Sequence, residues 1–241
     1  MNNLIAESIS VIIPSKNDSI NIYKHLSNIE TYLSNYFEQH EIILVSNGST
    51  KNDINKIDKL VLDKQNIKHI KLTLAGKGNA IREGIKLAKY DNILFSDADF
   101  SVSINEVNNF FKNGSLISDL VIGNRRGRES QNLNSPYKRL VAGAIFVFLV
   151  NSIFKFKIED SQCGFKAFNK KIFADVMFSE NGFVFDVEMI YIAFINNYKI
   201  TEVPVKYVHQ ENSSVSVVKD SFKMIVGLIR IYSKHRRKQN T

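Results

Sequence analysis

Cysteine is almost absent: Cys163 stands alone in 241 residues. This excludes a disulfide framework and any zinc site built on paired cysteines. Proline and glycine are scarce at 3 and 11 residues and nowhere gather into a linker, and no repeat or low-complexity tract interrupts the chain. The simplest division is one main domain over residues 1–217 followed by an amphipathic, basic helical segment over 218–241. No apolar run reaches the ~20 residues that a membrane-spanning helix needs. The longest, residues 140–156 (LVAGAIFVFLVNSIFKF), carries Asn151 and Ser152 and reads as a buried or membrane-surface helix. The start has no basic n-region and meets Glu7 early. No signal peptide is expected there, and the chain reads as cytoplasmic.

What is present is a globular composition, 44% apolar and 23% charged, with a net charge of +8. Such a balance favours anionic partners: phosphates, nucleic acid or an acidic lipid surface. Basic strands interleaved with aromatics, a zinc motif and a recognition helix are all missing, so nucleic acid is not an expected partner. In the first half, short β-rich runs alternate with helical patterns. Ile9–Ile13, Glu41–Val45, Ile67–Leu72 and Asn92–Ser96 read as strands, the first closed by Pro14. Between them Ile22, Leu26, Ile29 and Leu33, then Ile54, Ile57 and Val61, then Ala80, Ile81, Gly84, Ile85 and Ala88 recur at helical spacing. This order predicts an α/β fold with a mainly parallel sheet flanked by helices. Further on, Asp119–Gly123 and Thr201–Val208 read as strands. Phe185–Asn196 reads as an amphipathic helix, and Asp220–Lys238 as a helix with Phe222, Ile225, Val226, Ile229 and Tyr232 on one side.

Ligands on such sheets bind at the carboxyl ends of the strands, where Pro14, Ser46-Asn47 and Asp97-Ala98-Asp99 fall. Two carboxylates one residue apart at a strand end can share a hard divalent cation, Mg²⁺ or Mn²⁺, that bridges a diphosphate. The same pattern also suits a polar loop or a helix cap. Gly76-Lys77-Gly78 opens a helix and offers backbone N–H groups and a lysine to an anion. It is not a Walker loop, because Lys71 stands where the first glycine belongs and Asn79 follows Lys77. Asp186 and Glu188 fall on different faces of a helix and need not form one site. Cys163 has no histidine close in sequence to activate it and reads as a buried thiol.

Seven stretches in order carry a more specific signal: Val11-Ile12-Ile13-Pro14-Ser15-Lys16-Asn17-Asp18, Gly76–Gly84, Asp97-Ala98-Asp99, Gly123-Asn124-Arg125, Asp160-Ser161-Gln162-Cys163-Gly164-Phe165-Lys166, Phe185-Asp186-Val187-Glu188 and Glu202-Val203-Pro204-Val205. Together they resemble the family 2 inverting glycosyltransferases, in the branch that glycosylates dolichyl phosphate. The Asp160–Lys166 stretch favours the glucosyl over the mannosyl members. The resemblance implies a GT-A fold and transfer of a hexose, glucose from UDP-glucose, to a polyprenyl (dolichyl or undecaprenyl) phosphate with inversion.

By position the resemblance also implies that Pro14, Lys16 and Asp18 line the nucleotide pocket, with Ser46, Asn47 and Lys77 also on the donor. Asp97 and Asp99 would hold Mg²⁺ or Mn²⁺ and the diphosphate. Arg125, Arg139 and Lys166 would hold the acceptor phosphate, for which clustered cations suit a dianion. Asp160 would assist as a base or orient the acceptor. Asp18 replaces the usual Glu, and Ser46-Asn47 replaces two acidic residues, one of which accepts from the base in relatives. A neutral acceptor there is weaker than a carboxylate. A lipid acceptor places the protein at a membrane surface, with residues 140–156 and 220–238 as contacts and a homo-oligomer as a further option. Transfer to a soluble or glycan acceptor, and an inactive nucleotide-binding homologue, are the other readings left open.

Overall fold

The structure, a computed structural model, describes residues 4–133, 135–173, 175–182, 184–209 and 217–236. Strand β1 (Ala6–Ser15) pairs in parallel with β2 (Phe37–Asn47), and β2 with β3 (Ile67–Leu72). On its other side β1 pairs with β4 (Asn92–Ser96). Helices α1 (Ser19–Tyr36), α2 (Lys51–Val61) and α3 (Lys77–Leu87) make the crossovers. Each forms because its apolar residues recur every three or four positions: α1 buries Ile22, Leu26, Ile29 and Leu33. The strands are near-continuous apolar runs because helices cover both faces.

Seven strands make the main sheet, in the order β10-β7-β9-β4-β1-β2-β3. The second half of the chain supplies β7 (Leu120–Asn124), β9 (Phe165–Asn169) and β10 (Ile200–Pro204), with β9 antiparallel between β4 and β7. Two short ribbons sit outside it, β5 (Phe111–Lys112) with β6 (Ser115–Leu116) and β8 (Gln131–Leu133) with β11 (Lys206–Val208). The chain leaves β1 first toward β2 and β3 and later toward β4. This reversal opens a crevice at the carboxyl ends of β1 and β4.

Pro14 does not close its strand. It lies inside β1 opposite Val45, tolerated because β4 pairs β1 only at Ser10–Ile12 and leaves that side of Pro14 without a strand partner. The strand expected over 201–208 is two strands interrupted at Val205. The segment expected as an amphipathic helix, α5 (Phe185–Ile195), is buried all round from Phe185 to Ala193, with α3 and β10 packed against it, Phe154 of the helix before it on Tyr191, and the helix after it closing over it.

Those helices are α4 (Tyr137–Phe154) and α6 (Val217–Arg236). Helix α4 is buried at its C-terminal end through Val150 and Phe154, while Leu140, Val141, Ile145 and Phe148 are exposed. Helix α6 turns Leu228 and Ile231 into the common core and leaves Ile225, Val226 and Ile229 outside. The side chain of Phe222 lies outside the described residues. Polar ties fasten α6 to the domain: His235 Nε2 is 2.8 Å from Glu188, Arg230 is 2.9 Å from Glu180, and Lys234 donates to the Met177 carbonyl at 2.8 Å. No helix among the described residues is long and apolar enough to cross a membrane.

Candidate active site

Strand β4 delivers Asp97 and Asp99 to the crevice, with Ala98 buried between them. Asp97 follows the last residue of the strand and Asp99 lies in the turn that the Phe100 N–H closes on the Asp97 carbonyl at 3.1 Å. The Asp97 N–H donates to the Gly164 carbonyl at 2.9 Å, and Asp99 Oδ1 accepts from the Ser101 N–H at 3.0 Å. The first turn of α3 brings Lys77 Nζ to 2.8 Å from Asp97 Oδ1 and 3.1 Å from Asp186 Oδ2. The other oxygen of Asp186 holds Lys166 at 2.5 Å, and both ammonium groups lie over the Phe95 ring.

Burial works against the charge on Lys77, but the facing carboxylates of Asp186 and Asp97 outweigh it and raise its pKa. Burial alone would raise Asp186; Lys166 and Lys77 overcome it and hold that carboxyl below the usual range. Asp97 goes the other way, pushed up by burial and by the neighbouring charges of Asp99 and Asp186, with Lys77 only partly offsetting them. Asp18 at the end of β1 is likewise raised by burial, with Asp53 and Asp99 adding to the effect. Carboxylates crowded beside an open crevice suit a hard divalent cation. No group of three or more ligating side chains is assembled among the described residues. A cation on Asp97 and Asp99 would therefore complete its shell with diphosphate oxygens and water, as Mg²⁺ and Mn²⁺ sites commonly do. The residues present fit such an ion.

The segment 160–164 braces this pair. A Cβ at Gly164 would lie 1.7 Å from Asp97 Oδ2, so only glycine leaves the carboxylate its place. At the other end, Arg125 grips Asp160 with Nε at 2.7 Å, Nη2 at 2.8 Å and its own N–H at 3.0 Å, while Glu202 accepts from the Glu159 and Asp160 N–H groups. Burial would raise Asp160, but the Arg125 guanidinium lowers it, so it stays a carboxylate. Gly164→Ala is expected to lower transfer about a hundredfold through this displacement. Steady-state kinetics check it, alongside a thermal melt that shows the fold retained.

Three sequence expectations need correction here. Lys166 does not reach an acceptor, because it is fully buried on Asp186 and the Cys163 carbonyl. Arg125 is not a lone cation, because Nε and Nη2 pair with Asp160 and neutralise its charge, while Nη1 stays outside that pair. Asp160 is wholly buried and cannot touch an acceptor or serve as a base. Arg139 falls in the first turn of α4, and its side chain lies outside the described residues. Lys16 is exposed and Asp18 half-buried at the crevice rim, where Asp18 Oδ2 accepts from the Lys16 N–H at 3.0 Å. Pro14 is buried in the sheet below them.

Ser46 and Asn47 are also buried, and both have partners. Asn47 Nδ2 donates to the Ser15 carbonyl at 2.8 Å while Oδ1 accepts from the Gly76 N–H at 3.0 Å, tying β1, β2 and the start of α3 together. A carboxylate accepts but does not donate, so this double tie needs an amide. Ser46 Oγ is 2.8 Å from His69 Nε2, and His69 Nδ1 is 2.8 Å from Asp58. With Asp58 accepting from Nδ1, His69 presents its Nε2 lone pair to the Ser46 hydroxyl. Burial keeps His69 neutral by lowering its pKa, against the pull of Asp58.

Cys163 is buried and its thiol is pushed up to about 12, chiefly by burial, in keeping with an inert thiol. Asp186 and Glu188 indeed serve separate places, the first on two lysines and the second on Ser179, Glu180 and His235. Sequence reading assigned no role to Asp186, His69 or Gly164. Only the Phe-Asp-Val-Glu and Cys-Gly-Phe-Lys stretches signalled two of them.

A mainly parallel sheet with an antiparallel strand beside β4 and an Asp-x-Asp at its end defines a GT-A glycosyltransferase architecture. Among solved structures, glucosyl-3-phosphoglycerate synthase from Mycobacterium tuberculosis, in complex with Mn²⁺, UDP and phosphoglyceric acid, superposes with a TM-score of 0.68 at 15% identity, over 94% of this chain and 78% of that one. Mannosyl-3-phosphoglycerate synthase from Rubrobacter xylanophilus gives 0.65 at 14% identity, over 97% and 75%. The family model described as glycosyl transferase family 2 matches residues 10–177, and the chain belongs to that family. Among curated relatives, the dolichyl-phosphate beta-glucosyltransferase of Saccharomyces cerevisiae is 28% identical over 92% of this chain and 73% of its own length. The human protein of that name is 29% identical, over 87% and 70%.

Proposed function

We propose that this protein transfers glucose from UDP-glucose to the phosphate of a polyprenyl phosphate, with inversion at the anomeric carbon. The observation that carries the donor half is the Asp97–Asp99 pair at the crevice, braced by Gly164 and drawn toward Lys77. When bound, a divalent cation on those carboxylates would neutralise charge on the departing diphosphate. Lys77 keeps its proton through Asp186 and adds positive charge beside Asp97, where an anionic donor enters. The acceptor half is supported by the relatives named for dolichyl phosphate.

A phosphate oxygen is already anionic near neutral pH, so attack on the sugar needs alignment more than a base. That agrees with Asp160 being locked. It acts on the site only through Arg125 and the segment leading to Gly164.

A lipid acceptor also gives the exposed apolar residues of α4 and α6 a place at the membrane surface, with Lys223 and Arg230 exposed among those of α6. Deleting α6 would strip Leu228 and Ile231 from the core, so point changes on the outer face are the sound test. Wild-type protein is expected to float with anionic vesicles. Phe148→Glu with Ile229→Glu is expected to stay in the dense fraction at an unchanged melting midpoint. A wild-type protein that does not float, or that sediments as a dimer through this face, contradicts the membrane assignment.

The function is tested by incubating radiolabelled UDP-glucose, Mn²⁺ and vesicles containing polyprenyl phosphate. Label is expected in the organic phase, acid-labile as a glycosyl phosphate. Label in a soluble glycan, or none transferred, contradicts the proposal.

A further inference from the structure

With Arg125 and Lys166 both paired with carboxylates, an unpaired cation nearby would suit an acceptor phosphate. The next residue supplies one. Arg126 is half-buried, and its guanidinium makes no hydrogen bond or ion pair among the described residues. Its backbone N–H donates to Asn124 Oδ1 at 2.7 Å. Asn124 Oδ1 also accepts from the Gly127 N–H at 3.0 Å, which fixes the turn that aims the side chain.

The guanidinium has a defined seat. It lies on α4 at Gly143, where a Cβ would come within 1.9 Å of Nη2 and 3.1 Å of Cζ. Glycine in the middle of a helix is less stable than alanine, and here its bare backbone is what admits the arginine. An arginine packed this way, without an anion, is an unusual use of the side chain, because its planar fork matches carboxylate and phosphate oxygens. Burial and the adjoining Arg125 lower its pKa, while Asp160 opposes them. The Arg125–Asp160 pair beside it cancels its own charge, so Arg126 keeps a net positive charge at this corner. The same stretch of α4 turns Leu140, Val141, Ile145 and Phe148 outward, so an anion at Arg126 stands next to an exposed apolar surface.

We infer that Arg126, seated on Gly143, binds the phosphate monoester of the polyprenyl acceptor while the prenyl chain lies along the exposed face of α4. The inference rests on the proposed transfer to a prenyl phosphate and adds which side chain receives it.

The test uses geranyl phosphate, a water-soluble prenyl monophosphate that separates acceptor binding from membrane partition. Full-length wild type, Arg126→Gln, Arg126→Lys and Gly143→Ala are assayed with UDP-glucose and Mn²⁺. Arg126→Gln removes charge-assisted hydrogen bonds and is expected to raise the KM for geranyl phosphate about tenfold to a hundredfold. The KM for UDP-glucose, vesicle flotation and melting midpoint are expected to stay within twofold or at wild-type values. Arg126→Lys is expected to fall between. Gly143→Ala keeps the guanidinium and strengthens the helix, yet is expected to raise the same KM by occupying its seat. An unchanged acceptor KM in Arg126→Gln overturns the inference while wild-type transfer leaves the functional proposal standing. An equal rise in the donor KM also overturns it, by moving Arg126 to the diphosphate. If wild type glucosylates a soluble acceptor but not geranyl phosphate, the functional proposal fails and this one with it.

Discussion

Asp97→Asn is expected to lower kcat/KM for transfer about a thousandfold or more, with the unfolding midpoint almost unmoved. The asymmetry follows from the geometry. An amide in place of the carboxylate removes one of two side chains able to hold a divalent cation, and stabilising charge on a leaving diphosphate is worth several kcal/mol. At about 1.4 kcal/mol per factor of ten, some 4 kcal/mol gives the thousandfold loss. The fold gives up little, because Lys77 keeps Asp186 at 3.1 Å. Asp97 itself is crowded by Asp99 and Asp186, which already disfavour its charge. Kinetics at saturating Mn²⁺ with a parallel thermal melt check both halves. Transfer within tenfold of wild type would show that the carboxylate is not needed.

Asp186→Asn is expected to act on stability as well as on rate. It leaves Lys166, fully buried, with no anion in contact and only neutral acceptors, the Cys163 carbonyl and the introduced amide oxygen, as partners. Breaking one side of a buried ion pair costs about 3–5 kcal/mol, whereas replacing both partners by apolar groups is often neutral. Chemical denaturation should therefore show a large loss in Asp186→Asn and recovery in Asp186→Leu with Lys166→Met. The recovered variant stays impaired in transfer, because Lys77 has lost the carboxylate that holds it beside Asp97. The pH dependence has a definite sign. Asp186 is held below the ordinary carboxyl range, so the stability it contributes is complete above about pH 4 and disappears as pH falls through its lower folded value. Wild type is expected to lose stability steeply below about pH 4, and Asp186→Asn to show a shallower slope there. Equal slopes would contradict the assignment.

The sheet was readable because its strands are short apolar runs separated by helices of regular period, and β3 and β4 fall on the residues the pattern indicated. Pro14 misled because whether a strand tolerates proline depends on which side is paired, a fact of topology. Helix α5 misled because its acidic residues, Asp186 and Glu188, look like a solvent face until Lys77, Lys166 and His235 arrive from distant parts of the chain.

The site divides in the same way. Asp97 and Asp99 were legible because a local motif at a strand end needs no partner to be recognised. Arg125, Asp160 and Lys166 were legible as important but not in their roles, since a single sequence does not reveal that Arg125 pairs with Asp160 and Lys166 with Asp186. The Ser46–His69–Asp58 chain joins β2, β3 and α2. The exchange of acidic residues for Ser46 and Asn47 therefore reads from structure as buried ties between neighbouring elements. Arg126 had no signal beyond its neighbour.

Calorimetric titration of UDP into wild type and Asp97→Asn, each with and without Mn²⁺, tests most directly whether this carboxylate holds a cation on the diphosphate. Mn²⁺ is expected to tighten UDP binding to the wild type by tenfold or more and to leave the variant's weak binding unchanged. Equal tightening in both proteins, or none in the wild type, would contradict that role.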